Sequence, residues 1–295
     1  MHQKLQVSNN TAIKRLIYSH LLPIMSIYAY VNNIPSIDID KIPLYKSRDI
    51  NRILYISGVA LQLSKSQNRK GIEIACAIAS HISANCGDEL IIEIVPPGYI
   101  YLVLTDPILA AWLQCLTEGI WRGGDKERGG VGERERGETQ IENSSRLFAV
   151  QYAHARCCSL VRLAQQDGLI KLADNNVNTS SAFGSVISPN PIPWLNCDRK
   201  LRFSHLATKR LISELVQVVD DLECAYEAGS VNWEKAAINL SQAFEVFWSN
   251  CRIWGEVKIT SPELSQARLG LVIATQSVLS FLLEEKLGIF ALVEL

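Results

Sequence analysis

Charge of one sign is what this 295-residue sequence most lacks: 29 Lys and Arg stand against 30 Asp and Glu, a formal net charge of −1. That excludes a chain which grips polyanions by bulk positive charge, though not one with a local basic patch. Counted by segment, residues 1–121 carry 10 basic and 9 acidic side chains, 122–146 carry 6 and 6, and 147–295 carry 13 and 15. No part has a strong excess. The eight cysteines contain no Cys-x-x-Cys pair, which removes the zinc-ribbon and redox-motif readings. Cys157 and Cys158 are adjacent, and most of the others sit among Ala, Ile and Leu, as small buried hydrophobes do. The longest apolar run near the start, Leu21–Val31, is shorter than the ~20 residues that a bilayer span requires. No small-residue cleavage site follows it, so the expectation is a reduced, cytoplasmic protein without a signal peptide or membrane partner.

Compact catalytic signatures are missing as well. There is no Gly-x-Gly-x-x-Gly, no Gly-Lys-Ser/Thr phosphate loop and no Gly-x-Ser-x-Gly elbow. The five histidines (His2, His20, His81, His154, His205) lie far apart, without metal-ligand spacing. No catalytic residue, metal ligand or cofactor is expected on these grounds.

What is present divides in two. Residues 122–146 hold six glycines with the balanced charges counted above. Such a stretch buries too little apolar area to offset its ordering entropy, so it reads as a flexible linker. Residues 1–121 read as an α+β domain. Helices are expected over 11–31, Val59–Lys65 and Ile72–Ile82, the last with Ile74, Ile78 and Ile82 on one stripe. Strands are expected over Glu89–Val95 and Tyr99–Leu104, joined by the turn Pro96-Pro97-Gly98. Alternation places Ile100, Leu102 and Leu104 on the core face, and Tyr99, Tyr101 and Val103 on the other. A helix over 107–121 closes the domain.

Residues 147–295 read as an all-α antiparallel helix bundle. Leu147–Ala164 is apolar nearly all round and should be central. A polar loop over 167–197 precedes helices at about 204–227, 232–251 and 262–287. Ser261-Pro262-Glu263 reads as a helix start capped by the serine, and Gly288 as a stop. Candidate RNA-contacting groups are the basic cluster Arg199, Lys200 and Arg202, with Lys209 and Arg210 downstream, and the tyrosines Tyr99 and Tyr101, which could stack bases.

Val150-Gln-Tyr-Ala-His-Ala-Arg156 resembles, over seven consecutive residues, the opening helix of the DALR anticodon-binding domain of arginyl-tRNA synthetases. Leu240–Cys251 resembles that family's Leu-Ala-x-x-Phe-Asn-x-Phe-Tyr helix. Ala267–Leu279, with Leu287-Gly-Ile289, resembles its last helix. Residues Ala60–Lys65 and Pro97–Tyr101 resemble, in order, parts of the additional N-terminal domain of the same enzymes. In that family the turn continues Phe/Tyr-Ile-Asn, and the Asn reads a D-loop base; Tyr101 stands there in this sequence. The ATP-binding His-x-Gly-His and Lys-Met-Ser-Lys-Ser elements are absent.

The resemblance implies a non-catalytic tRNA-binding or adaptor protein that holds the anticodon stem-loop of a tRNA, arginine tRNA first. Tyr152, His154 and Arg156 match the family's signature helix, and Arg162 joins Arg199, Lys200 and Arg202 as a phosphate contact. A tRNA-modifying enzyme or a synthetase is the implied protein partner. Two other readings stay open: a protein–protein module that has lost RNA binding, and an arginine–tRNA ligase acting with a separate catalytic subunit.

Overall fold

The computed structural model describes residues 12–31, 42–86, 89–118, 147–173, 183–224 and 231–295; the expected linker lies outside them. The chain divides into two compact units, one of residues 1–111 with 219–230, the other of 112–218 with 231–295.

The first unit contains helix α1 (Ile13–Val31), strands β1 (Leu44–Lys46) and β2 (Leu54–Ser57), helices α2 (Val59–Gln67) and α3 (Gly71–Cys86), and strands β3 (Leu90–Val95) and β4 (Tyr99–Leu104). The four strands form one antiparallel sheet in the order β1-β2-β4-β3. The expected β3–β4 hairpin is there, with Ile92 opposite Leu102 and Val95 opposite Tyr99. Its turn requires Gly98, at φ +151°, because a Cβ there would lie 2.6 Å from the backbone of Gly71 at the start of α3. Ile100, Leu102 and Leu104 are buried as the alternation predicts, but Val103, expected on the other face, is buried as well. Strands β1 and β2 had no counterpart in the sequence reading. They are three and four residues long, too short to show a period; pairing of β2 with β4, and of β1 with β2, is what makes them strands.

The last turn of helix α6 (Leu206–Glu223) belongs to this unit and carries its most buried charge-bearing side chain. Asp220 is 4% exposed; one carboxylate oxygen accepts the Lys14 backbone N–H at 3.0 Å, in the first turn of α1. The other oxygen takes the Tyr55 hydroxyl of β2. A carboxylate at a helix N-terminus satisfies an orphan donor and meets the positive end of the helix dipole. Burial nonetheless dominates and pushes the carboxyl up to about 7.

Helix α4 (Asp106–Thr117) leads into the second unit, whose main elements are α5 (Phe148–Gln166), α6, α7 (Trp233–Asn250), α8 (Glu256–Thr260) and α9 (Pro262–Phe281), which ends in a π turn over Leu282–Lys286. Two pairings fix the direction of α9 against α5: Gln266 donates to the Leu169 carbonyl, and Gln276 meets His154. Later residues of α9 thus meet earlier residues of α5, so the two are antiparallel. Lys286 stands over the Trp233 ring at 5.2 Å, so the end of α9 also meets the start of α7. The start of α6 meets the end of α7 through Thr208 and Cys251. Helices close in the order up, down, up, down, as short-loop bundles do. The stretch Pro262–Lys286 is long and apolar enough to cross a membrane, but 78% of its apolar window is buried among the other helices, as a core helix.

Two details depart from the sequence reading. Ser261 stands before α9, but its side chain makes no cap bond; Pro262 at the first turn is what starts the helix. The loop over 167–197 is partly ordered by a short pairing of β5 (Lys171–Leu172) with β6 (Val186–Ser188). Beyond it Ile192 and Trp194 are buried. The Trp194 ring lies on Gly270 of α9, where an added Cβ would fall 2.4 Å from it, and its Nε1 donates to Gln114 Oε1 at 2.9 Å. Five of the eight cysteines are buried, but Cys76 and Cys197 are exposed and Cys115 half-buried; all eight are free thiols.

Candidate nucleic-acid interface

Helix α5 begins the site because it is apolar on most of its circumference but not all. Val150, Ala153, His154, Cys157, Val161 and Ala164 are buried. Phe148, Tyr152, Arg156, Ser159 and Leu163, spaced four, four, three and four apart, form the outward stripe. Phe148 is 58% exposed and Tyr152 46%; their rings stack with centroids 6.4 Å apart and 24° between planes. One turn on, the Arg156 guanidinium lies 4.9 Å from the centre of the Trp248 ring of α7. Its Nε is buried without a hydrogen-bond partner, so the ring face is what compensates the cation there. Trp248 meets Trp254 edge-on at 6.3 Å. Trp254 is held in turn by its Nε1–H to Asp167 at 2.9 Å, and Lys258 pairs with the same carboxylate at 3.3 Å.

The result is a partly exposed group of aromatic rings and one arginine plane, with Phe148, Tyr152 and Arg156 on α5, Trp248 on α7 and Trp254 in the segment after it. Such faces take unstacked bases, since every base has a π face and a guanidinium offers the same flat contact. Phe148, Trp248 and Trp254 were missed in the sequence reading. Phe148 lies one helical turn before Tyr152 and could have been found by spacing; Trp248 stands at the Tyr of the Leu-Ala-x-x-Phe-Asn-x-Phe-Tyr pattern, but only the packing of α7 on α5 brings it beside Arg156, and Trp254 meets Trp248 from the segment after α7.

The other expected site residues fall in different places. His154 is fully buried, with its pKa held below the ordinary value chiefly by burial, so it is not a surface contact. The sequence placed it by motif, but its neighbours on the helix are all core positions. Arg162 is half-buried and paired with Glu294 at 2.8 Å. Arg202 donates to the Pro193 carbonyl and pairs with Glu263 at 3.0 Å, so much of its charge is spent within the fold.

Arg199 and Lys200 are exposed at the tip of a tight turn closed by the Leu195–Leu201 bridge. Asn196 Oδ1 accepts the N–H groups of both Asp198 and Lys200, and Arg199 sits at φ +57°, a left-handed position that the turn imposes. Tyr99 and Tyr101 lie in the other unit, on the sheet face away from its core. Tyr99 is 39% exposed, and Tyr101 is half-buried between Ile56 and Glu93. Among the described residues no cluster of three His, Cys, Asp or Glu side chains could hold a metal.

A helix bundle with an aromatic–arginine face defines a class of helical module suited to a single-stranded loop. Comparison places it more narrowly: residues 150–295 match the DALR anticodon binding domain, and that half of the chain belongs to the DALR family. Three arginine–tRNA ligases are similar to the chain. Those of Synechococcus sp. (strain JA-3-3Ab), Symbiobacterium thermophilum and Rhizobium rhizogenes are each 30% identical, over 146, 135 and 144 residues. The matches cover 48%, 45% and 48% of this chain but only 21%, 20% and 22% of those proteins. The chain thus matches about a fifth of the length of these curated relatives. No solved structure matches it.

Proposed function

We propose that this chain is a non-catalytic tRNA-binding protein related to the arginine–tRNA ligases, and that its α5–α7 face holds the anticodon loop of a tRNA, arginine tRNA first. The observation that carries this reading is the group Phe148, Tyr152, Arg156 and Trp248 within a DALR-family bundle. Aromatic and guanidinium planes supply stacking, each base contributing about 1–3 kcal/mol. Arg199 and Lys200 supply phosphate contacts. The near-zero net charge fits a protein that depends on stacking and a few placed cations.

The absence from the sequence of the ATP-binding elements supports the non-catalytic part of the reading. An adaptor role, with the tRNA presented to a modifying enzyme or a synthetase, follows from it. Fluorescence anisotropy with labelled arginine tRNA and an unrelated tRNA, at two salt concentrations, tests the binding. Arginine tRNA should bind more tightly, and affinity should fall as salt rises because phosphate contacts release counterions. No binding of either tRNA at low salt would end the RNA reading in favour of a protein–protein module. Arginine-dependent pyrophosphate exchange by the purified chain would end the non-catalytic one.

A further inference from the structure

The segment Gly288–Leu295 lies along α5 as a strap, held by the helix's polar side chains. The Gln151 carboxamide donates to the Phe290 carbonyl at 2.8 Å and accepts the Leu292 N–H at 3.0 Å. One side chain thus pairs with the main chain on both sides of Ala291, whose methyl is fully buried. His154 Nδ1 lies 2.8 Å from the Leu292 carbonyl. A carbonyl only accepts, so Nδ1 carries the hydrogen; Nε2 is then the acceptor for the Gln276 amide at 3.0 Å. Arg162 and Glu294 close the far end.

Gln151 and His154 are three residues apart on one side of the helix. At about 100° per residue, Tyr152 and Arg156 turn away from them toward solvent. We propose that Gln151 and His154 are positioning residues: by gripping the main chain of Phe290–Leu292 they fix the rotation of α5 about its axis, and so the presentation of Tyr152 and Arg156 to RNA. The inference rests on the RNA-binding reading and assigns the family-signature histidine a role behind the binding face.

Protonation of Nε2 would leave the Nδ1–H bond to the Leu292 carbonyl in place, but it would remove the acceptor for Gln276 and put a cation in a buried site. A proton on Nε2 would set an N–H against the amide nitrogen of Gln276. The groups that face the ring are Cys158 Sγ on its own helix, Gln276 from α9, Glu284 from the π turn and the Leu292 carbonyl of the strap, with the Arg162–Glu294 pair beyond. Glu284 and the carbonyl favour the protonated ring, but burial outweighs them. The folded value lies below the 6.5 of a free histidine. Because burial of the ring opposes the cation, the closed strap is most stable above pH 6.5 and weakens as pH falls below it toward the lower folded value.

The test uses the full chain, with three readouts: hydrogen-exchange protection of residues 288–295, corrected for intrinsic rate, far-UV circular dichroism, and affinity for arginine tRNA. In the wild type, strap protection should fall as pH drops below 6.5, and tRNA affinity should fall with it once the ring protonates in the folded state, with helix content unchanged. His154→Asn places a non-titrating N–H donor near the Nδ1 position and should hold both nearly constant. Gln151→Ala should open the strap at pH 7.5 and weaken tRNA binding by about fivefold, equivalent to about 1 kcal/mol.

The proposal is overturned if Gln151→Ala opens the strap and binds as well as the wild type, or if His154→Asn follows the wild-type pH curve. If the wild type binds no tRNA at any pH while Gln151→Ala still opens the strap, the RNA reading has failed, and the positioning role falls with it. The wild-type pH series decides even if a variant does not fold.

Discussion

The two units each bury one titratable group deep in a polar contact, and the groups have opposite charge types. The first unit buries Asp220 against Tyr55 and the start of α1; the second buries His154 against Gln276 and Leu292. The same physics acts on both, since removal from water disfavours the ionised form. For the acid, the neutral form is the protonated one; for the base, it is the deprotonated one. Identical burial therefore gives opposite responses to pH, and the comparison separates the units in a way that helix content cannot.

The largest expected effect breaks the comparison on its acid side. Asp220 titrates at about 7 in the folded unit against 3.8 for the unperturbed group. Between those values the folded state binds more protons than the unfolded, so its stability falls as pH rises and is lowest above 7. The scale is a few kcal/mol, at about 1.4 kcal/mol per unit. Asp220→Asn removes the titration and keeps an amide oxygen for the Lys14 N–H. Peptide-resolved hydrogen exchange over Ile13–Leu22, corrected for intrinsic rate, should show wild-type protection falling from pH 5 to 8 relative to the variant. Parallel curves would show that the carboxylate does not carry the penalty. Half-buried His20 in the same unit, lowered by burial, pulls the other way in both proteins and cancels in the difference.

Next in size is a lesion confined to the second unit. Gly270 lets α9 pass beneath Trp194, with the ring filling the space a side chain would occupy. Gly270→Ala would drive a methyl into that ring, and overpacking of this kind costs about 1–3 kcal/mol. The measurement is peptide-resolved exchange under urea: peptides of α9 and of residues 191–203 should lose protection while those of β2–β4 keep theirs. Equal losses in both would mean that the units unfold together.

How far the sequence foretold these features follows the same division. Helices α5, α7 and α9 were legible because long apolar periods write their own geometry, and the β3–β4 hairpin because Pro-Pro-Gly between two alternating runs admits little else. Strands β1 and β2 were not, since three or four residues carry no period. At the candidate site, the motif names Tyr152 and Arg156, and the structure puts both on the outward side of α5. His154 belongs to the same motif and was misplaced: a motif states which residues occur together, not which side of a helix each one takes. The burial of Val150, Ala153 and Cys157 around it was readable in the all-apolar character of the helix. Trp248 falls on the last aromatic of a family pattern, but its place beside Arg156 depends on tertiary packing, and no local pattern points to Trp254.

A smaller effect sharpens the site. Trp248→Ala removes both a stacking surface and the partner of Arg156, so the two side chains should be energetically coupled. In a double-mutant cycle of Arg156→Ala and Trp248→Ala, each single change should weaken tRNA binding by about 1–2 kcal/mol. The double change should weaken it by less than the sum, because groups in contact are not additive. Strict additivity would show that only one of them meets the RNA. Neither change touches the first unit, whose exchange protection should be unaltered.

The smallest effect concerns the turn tip. Arg199 and Lys200 project from a turn whose bonds are made by Asn196 and the main chain, so replacing both with Ala should leave the fold of the unit intact. If each neutralises one phosphate of a single-stranded loop, the slope of log affinity against log salt should decrease by about 0.7 per side chain lost. The affinity change at moderate salt should be similar for all tRNAs, because phosphate contacts carry no base information. An unchanged slope with full binding would leave the aromatic group of α5 and α7 as the source of affinity and remove the turn from the interface.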